Sequence, residues 1–215
     1  SLLLGFCLFC LNAQADMVFM RENNQGKHIF LKTSTGEKQI TDGSNWHLYP
    51  DLSSDGKSVV YVSGADQKNL QLNLMNLTDK KSEILSVPMK GMILHPKLTK
   101  NNQYVFFSAP VENKNSIFAI DLKDNKKLIE ITPGEEAYFP RPSSDGLFVV
   151  YQRNINGKKE IVFYDRLENK KEVVDIGMSP ALSFDERFIA YTSKQSGSWD
   201  IYLYDRFSKE KTHIT

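Results

Sequence analysis

A proline, a turn pair of Asp-Gly type five residues later and an aromatic residue six further on recur four times in this 215-residue chain. The copies are Pro50/Asp55-Gly56/Tyr61, Pro96/Asn101-Asn102/Phe107, Pro140/Asp145-Gly146/Tyr151 and Pro180/Asp185-Glu186/Tyr191. Offsets inside each copy do not vary, whereas successive prolines stand 46, 44 and 40 residues apart. Constant spacing within a unit and variable spacing between units mark tandem structural repeats that carry loops of different length.

Each repeat reads as four short strands, runs of β-branched and aromatic residues bounded by Gly, Asn, Asp and Ser clusters. In the third copy these are Phe139 to Pro142, Leu147 to Tyr151, Glu160 to Asp165 and Glu172 to Val174. Gly accepts positive φ and Asp bonds to backbone ahead of it, so Asp-Gly suits the first turn. Asn101-Asn102 is a fair substitute, since Asn tolerates the left-handed region. Asp185-Glu186 matches poorly, and a different turn type is predicted there. The second strand of each unit is apolar on both faces, as in Ser58 to Val62 and Tyr104 to Phe107. A half-exposed sheet would alternate. Small sheets sandwiched between similar sheets bury both faces, which is the arrangement of a β-propeller. The fold class is therefore all-β, a propeller of four-stranded antiparallel blades over about 16–41, 46–85, 91–132, 135–174 and 177–215, with almost no helix. The first blade has three strands, from Met17, His28 and Lys38 onward. A first strand that is absent in front, and a chain stopping at Ile214-Thr215, suggest a fragment of a six-bladed ring. A closed ring of five is the alternative.

Residues 1–15 differ in kind. Ser1 to Leu11 is almost wholly apolar, no charge occurs before Asp16, and Ala13-Gln14-Ala15 has the small-x-small form of a secretory cleavage site. This reads as a signal-peptide remnant, with a buried strand as the other reading. Both cysteines, Cys7 and Cys10, lie inside it, so a cleaved chain has neither disulfide nor thiol chemistry. No stable membrane span would then remain. The formal net charge is +1 with both signs interspersed, unlike the concentrated basic face of a nucleic-acid binder. The lysine pairs at 80–81, 126–127, 158–159 and 170–171 fall in predicted hairpin tips.

Pro140 to Tyr151, Ser183 to Ser193 and Trp199 to Asp205 resemble the TolB-type propeller repeat, roughly P-x-W-S-P-D-G-x-x-I-A-F-x-S, a loop, then I-Y-x-x-D. The likeness runs from about Met17 to Thr215. The family's Trp is replaced by Leu52, Leu98, Pro142 and Leu182, and its second Pro by Ser54, Lys100, Ser144 and Phe184. The α/β domain that TolB carries ahead of its propeller has no counterpart after Ala15. The resemblance thus implies a TolB-like propeller protein, and similar repeats also occur in prolyl-oligopeptidase-type enzymes.

No Gly-x-Ser-x-Gly elbow is present, and the histidines His28, His47, His95 and His213 are scattered, without an i, i+4 pair. Catalytic residues, metal ligands and cofactors are therefore expected to be none. Asn76, Asp121, Asp165 and Asp205 end the third strands and are expected to cap turns rather than to form a carboxylate ring. Tyr61, Phe107, Tyr151 and Tyr191 are expected between blades. Candidate binding residues sit in the inter-blade and second-to-third-strand loops of one rim: Trp46, His47, Tyr49, His95, Glu135, Glu136, Tyr138, Arg153 and Trp199, with Met92 beside them. Exposed aromatics among a few charges suit an interaction surface. The expectation is a periplasmic or secreted, monomeric, non-catalytic propeller that binds an envelope protein, peptide or glycan. One alternative is the gating propeller of a prolyl-oligopeptidase-type serine peptidase whose catalytic domain lies outside this chain. Another is a hydrolytic propeller using a channel metal.

Overall fold

A computed structural model describes residues 16–24, 26–66, 69–89 and 91–215. The expected signal remnant, with both cysteines, lies outside the described residues. Among the described residues nineteen strands form five antiparallel sheets arranged as the blades of a β-propeller. The first blade holds β1 (Met17–Asn23), β2 (Gly26–Thr33) and β3 (Gly36–Gln39). The second holds β4 (Trp46–Leu52), β5 (Ser58–Gly64), β6 (Gln71–Asn76) and β7 (Ser82–Leu85). The third holds β8 (Leu94–Leu98), β9 (Tyr104–Val111), β10 (Lys114–Asp121) and β11 (Lys127–Glu130). In the fourth are β12 (Glu136–Pro142), β13 (Phe148–Ile155), β14 (Lys158–Asp165) and β15 (Lys170–Ile176). The fifth comprises β16 (Met178–Leu182), β17 (Phe188–Ser193), β18 (Asp200–Asp205) and β19 (Lys211–His213). Strand order within every sheet follows the chain, and no helix occurs among the described residues.

Among the described residues the core consists of four apolar clusters, each lying between two neighbouring blades, and the second strands of the second, third and fourth blades, β5, β9 and β13, feed two clusters at once. Val59 and Tyr61 face the first blade, packing with Ile29, Leu31 and Met75. Val60 and Val62, on the other side of the same strand, pack with Val105 and Phe107 of the third blade. Phe106 then joins Val149 and Tyr151, and Val150 joins Ile189 and Tyr191. Successive side chains of a strand point to opposite faces, so a continuously apolar strand is what burial on both sides demands. The repeat's aromatic always faces the preceding blade. Tyr61, Phe107, Tyr151 and Tyr191 are all buried there.

The turn after each first strand is built by three hydrogen-bonding groups. Asp55, Asn101, Asp145 and Asp185 accept, through Oδ1, the hydroxyls of Ser53, Thr99, Ser143 and Ser183 at 2.6, 2.7, 2.7 and 2.5 Å. Those hydroxyl oxygens accept in turn the amides of Ser58, Tyr104, Phe148 and Phe188 at 2.8 to 3.1 Å. The fourth turn does not differ in type, contrary to the sequence reading. Glu186 has φ 62°, beside 68° for Gly56, 53° for Asn102 and 75° for Gly146, and its amide bonds to Ser183 O at 2.9 Å as theirs do to the matching carbonyls. The strain of a left-handed Glu is offset because its carboxylate accepts the Ser144 amide of the fourth blade at 2.5 Å. The third-strand acids cap turns as expected. Asp121, Asp165 and Asp205 each accept two amides ahead of them, and Asn76 accepts that of Thr78.

Candidate functional site in the central channel

The first strand of each four-stranded blade is the innermost, so β4, β8, β12 and β16 wall the channel in succession. All four carry the same defect. Pairing to the second strand shifts register between Leu48 and Asp51, Leu94 and Lys97, Tyr138 and Arg141, and Met178 and Ala181. At these bulges the residue before the repeat proline is left-handed: Tyr49, His95, Phe139 and Ser179 have φ of 53, 53, 55 and 53°. The bulge absorbs a proline that has no amide to give the ladder. Left-handed backbone costs a non-glycine residue roughly 1–2 kcal/mol. Strain of this kind persists where the surroundings over-determine it and collects at functional sites.

Three of the four strained residues carry rings, and these form a tilted stack across blades, with interplanar angles of 54° and 33°. Ring centroids lie 4.9 Å apart for Tyr49 and His95, and 4.0 Å apart for His95 and Phe139. Burial, reinforced by the charges of Arg141 and Lys97, pushes the His95 pKa down to about 4, so the imidazole is neutral near pH 7. Its Nδ1 is buried without a hydrogen-bond partner among the described residues.

Two residues further along each strand comes a charged tier: Asp51, Lys97 and Arg141, with Ala181 in the fourth copy. Asp51 reaches to the next blade, pairing with Lys97 Nζ and accepting the Leu98 amide at 2.9 Å. Arg141 also reaches forward, Nε donating to Pro180 O at 2.9 Å, while Nη1 donates to Pro140 O at 3.3 Å. Beside this tier a cavity of about 380 Å³ opens toward the rim of Asp-Gly turns, walled by Leu98, Pro142, Leu182 and Phe184. Seven of the eight positions that depart from the TolB-type Trp and Pro line this cavity, Ser144 being the exception. The signal was thus present in the sequence: the two columns that depart from the family pattern line the channel. Asp51, Lys97, Phe139 and Arg141 were nevertheless missed, because each looks unremarkable within its own strand.

Of the residues proposed from sequence, Tyr49 and His95 belong to the stack. His47 does not approach it. It is buried between the first and second blades, 5.6 Å from the His28 ring and 5.8 Å from that of Tyr61, with Nδ1 3.3 Å from Lys27 O, and burial lowers its pKa. Trp46 packs on the neighbouring core under Lys27 Nζ at 4.5 Å. Four others knit the fourth blade. Glu135 accepts the Tyr151 hydroxyl at 2.6 Å and pairs with Lys171 at 2.5 Å, while Arg153 holds Glu160 at 2.6 Å. Tyr138 donates to Glu136 at 3.0 Å and accepts Asn115 Nδ2 at 3.0 Å. Trp199 is exposed in the β17–β18 loop with Lys194 Nζ 5.1 Å from its ring centre, and Met92 is exposed ahead of β8. Among the described residues no group of three or more His, Cys, Asp or Glu could hold a metal ion.

Blades that bury both faces around a channel walled by their first strands define the class: a β-propeller. Within it the chain has the fold of TolB-type propellers. TolB from Acinetobacter baumannii superposes over 94% of this chain and 53% of its own, with TM-score 0.79 and 18% identity. A putative TolB from Agrobacterium tumefaciens gives TM-score 0.70 and 17% identity over 83% of this chain and 65% of its own. The chain therefore spans between about half and two thirds of those chains. A Mycobacterium tuberculosis puromycin-hydrolyzing peptidase matches over 93% of this chain and 36% of its own, with TM-score 0.69 and 13% identity. No family model matches the sequence, and no curated protein does.

Proposed function

We propose that this chain is a non-catalytic binding propeller, periplasmic or secreted after cleavage following Ala15, that takes a partner from the cell envelope into its channel. The observation that carries the proposal is the channel wall. There the four copies carry Asp51, Lys97, Arg141 and Ala181 at one position, and strained aromatic rings stand over this tier of charges, which is only partly neutralised. The charged residues of the loop rim, by contrast, are largely occupied with one another. A channel of this kind, with apolar walls and a few convergent polar groups, has the composition of a ligand site. The test is retention of envelope components by the immobilised protein, compared with a Ser179→Trp variant that fills the channel beside the stack. Retention by the wild type and its loss in the folded variant is expected. Equal retention by both, or none by either, would remove the proposal.

A second reading is the gating propeller of a serine peptidase, supported by the likeness to the puromycin-hydrolyzing peptidase. The reading frame downstream of Thr215 discriminates. A Gly-x-Ser-x-Gly followed by Asp and His would establish the peptidase, whereas a further repeat and a stop codon would exclude it.

A further inference from the structure

Arg141 is the one cation of the charged tier that is not neutralised. Its Nε and Nη1 go to two backbone carbonyls, and among the described residues no carboxylate lies within 4 Å of the guanidinium. Asp51 acts on it only from a distance, being committed to Lys97 and the Leu98 amide. A recessed charge without a counter-ion is costly, and proteins ordinarily pair it. Among the described residues Nη2 has no hydrogen-bond partner, and the side chain lines the cavity that opens to the rim. Lys100 stands at that opening, its ammonium 3.7 Å from the centre of the Phe184 ring. Phe184 itself is 84% exposed.

We infer that this end of the channel is a carboxylate site, in which Arg141, backed by Lys100, receives an acidic side chain of an extended peptide. A planar carboxylate matches the guanidinium fork, and the low-dielectric wall strengthens the pairing. Peptide is favoured over acidic sugar by the rest of the lining. The hydroxyls of its two serines are both occupied, Ser54 donating to Lys100 O at 2.6 Å and Ser183 to Asp185 at 2.5 Å. A polyol would find few groups to satisfy its hydroxyls. Leu52, Leu98, Pro142, Leu182 and Phe184 instead offer contact to apolar side chains flanking an acidic one.

This inference rests on the channel-binding reading above and names the chemistry that the channel selects. It is tested on the full chain by following the His95 ring resonances in NMR titrations with four probes: Ac-Leu-Asp-Leu-NH2, Ac-Leu-Asn-Leu-NH2, digalacturonate and inorganic phosphate. The Asp peptide is expected to shift them saturably, and the Asn peptide to bind about tenfold or more weakly, the loss of one charge-assisted pair. Arg141→Gln should abolish the preference for Asp over Asn. Lys100→Gln, at the exposed mouth where folding is not at risk, should weaken the Asp peptide about threefold. Equal binding of the two peptides, no saturable shift with any probe, or an undiminished Asp preference in folded Arg141→Gln would overturn the inference. If that variant does not fold, an unchanged affinity in Lys100→Gln would overturn it. Saturation by digalacturonate or phosphate without the Asp peptide would overturn the assignment to peptide. Envelope retention that survives in Arg141→Gln but not in Ser179→Trp would leave the channel reading standing and this one refuted. Peptide selectivity without envelope retention would do the reverse.

Discussion

At the scale of single residues the chain is governed by what stands on either side of the repeat proline. His95 is the clearest case, a neutral imidazole wedged between two rings and close to two cations. A histidine in the unfolded chain has a pKa near 6.5. The folded value is depressed to about 4, so the unfolded state binds the extra proton as pH falls. Stability is therefore fully present above about pH 6.5 and declines between there and pH 4, by an amount on the order of 3 kcal/mol at most. His95→Phe keeps a ring in the stack and removes this proton linkage. Its melting temperature should consequently fall less than that of the wild type between pH 7 and pH 4.5, and parallel curves would contradict the assigned environment. The aromatic content of the repeat was legible in the sequence at this scale. The left-handed backbone at positions 49, 95, 139 and 179 was not, because a residue before proline is ordinarily biased toward extended conformations.

At the scale of elements, two small polar devices recur among the blades. One is the Ser or Thr three residues after the proline, whose hydroxyl both donates to the turn acid and accepts the amide that starts the second strand. Ser143→Ala removes both bonds and leaves the Phe148 amide unpaired, which should cost about 1–3 kcal/mol. Urea denaturation checks this: an unchanged midpoint would show that water replaces the hydroxyl. The other device closes the last strand of three blades. Thr41, Thr132 and Thr215 accept the amides of Ile29, Ile117 and Ile201 at 2.9, 2.8 and 2.9 Å. The Ile-Thr pairs were visible in the sequence as strand ends. Their role was not, since a hydroxyl's partner across a hairpin depends on register. Glu186 makes the same point. Sequence logic asks for Gly or Asn at that turn, and a bond to the neighbouring blade overrides it.

At the scale of the molecule, the four inter-blade clusters make stability close to a chain of nearest-neighbour terms. Val150 is fully buried where the fourth and fifth blades meet. An unpaired carboxylate placed there by Val150→Asp should loosen the fifth blade by several kcal/mol. The first three blades share no cluster with it and should be spared. Hydrogen exchange would then show lost protection in β16 to β19 with β1 to β11 little changed. Uniform loss across all blades would instead mean that the propeller unfolds as one unit.

Periodicity in the sequence determined the repeat, the four-stranded blade and the burial of both strand faces. Each of these follows from local chemistry: which residues turn, and which side chains alternate. Position around the channel axis was decided only by the tertiary structure. Tyr49, His95 and Phe139, or Lys97 and Arg141, lie more than forty residues apart in sequence. They meet because successive blades rotate equivalent strands onto one axis, so that columns of the repeat become tiers of the channel. The loop residues that looked most exposed in the sequence proved for the most part to be tied down within the blades. What stands open to a ligand is the wall those blades enclose.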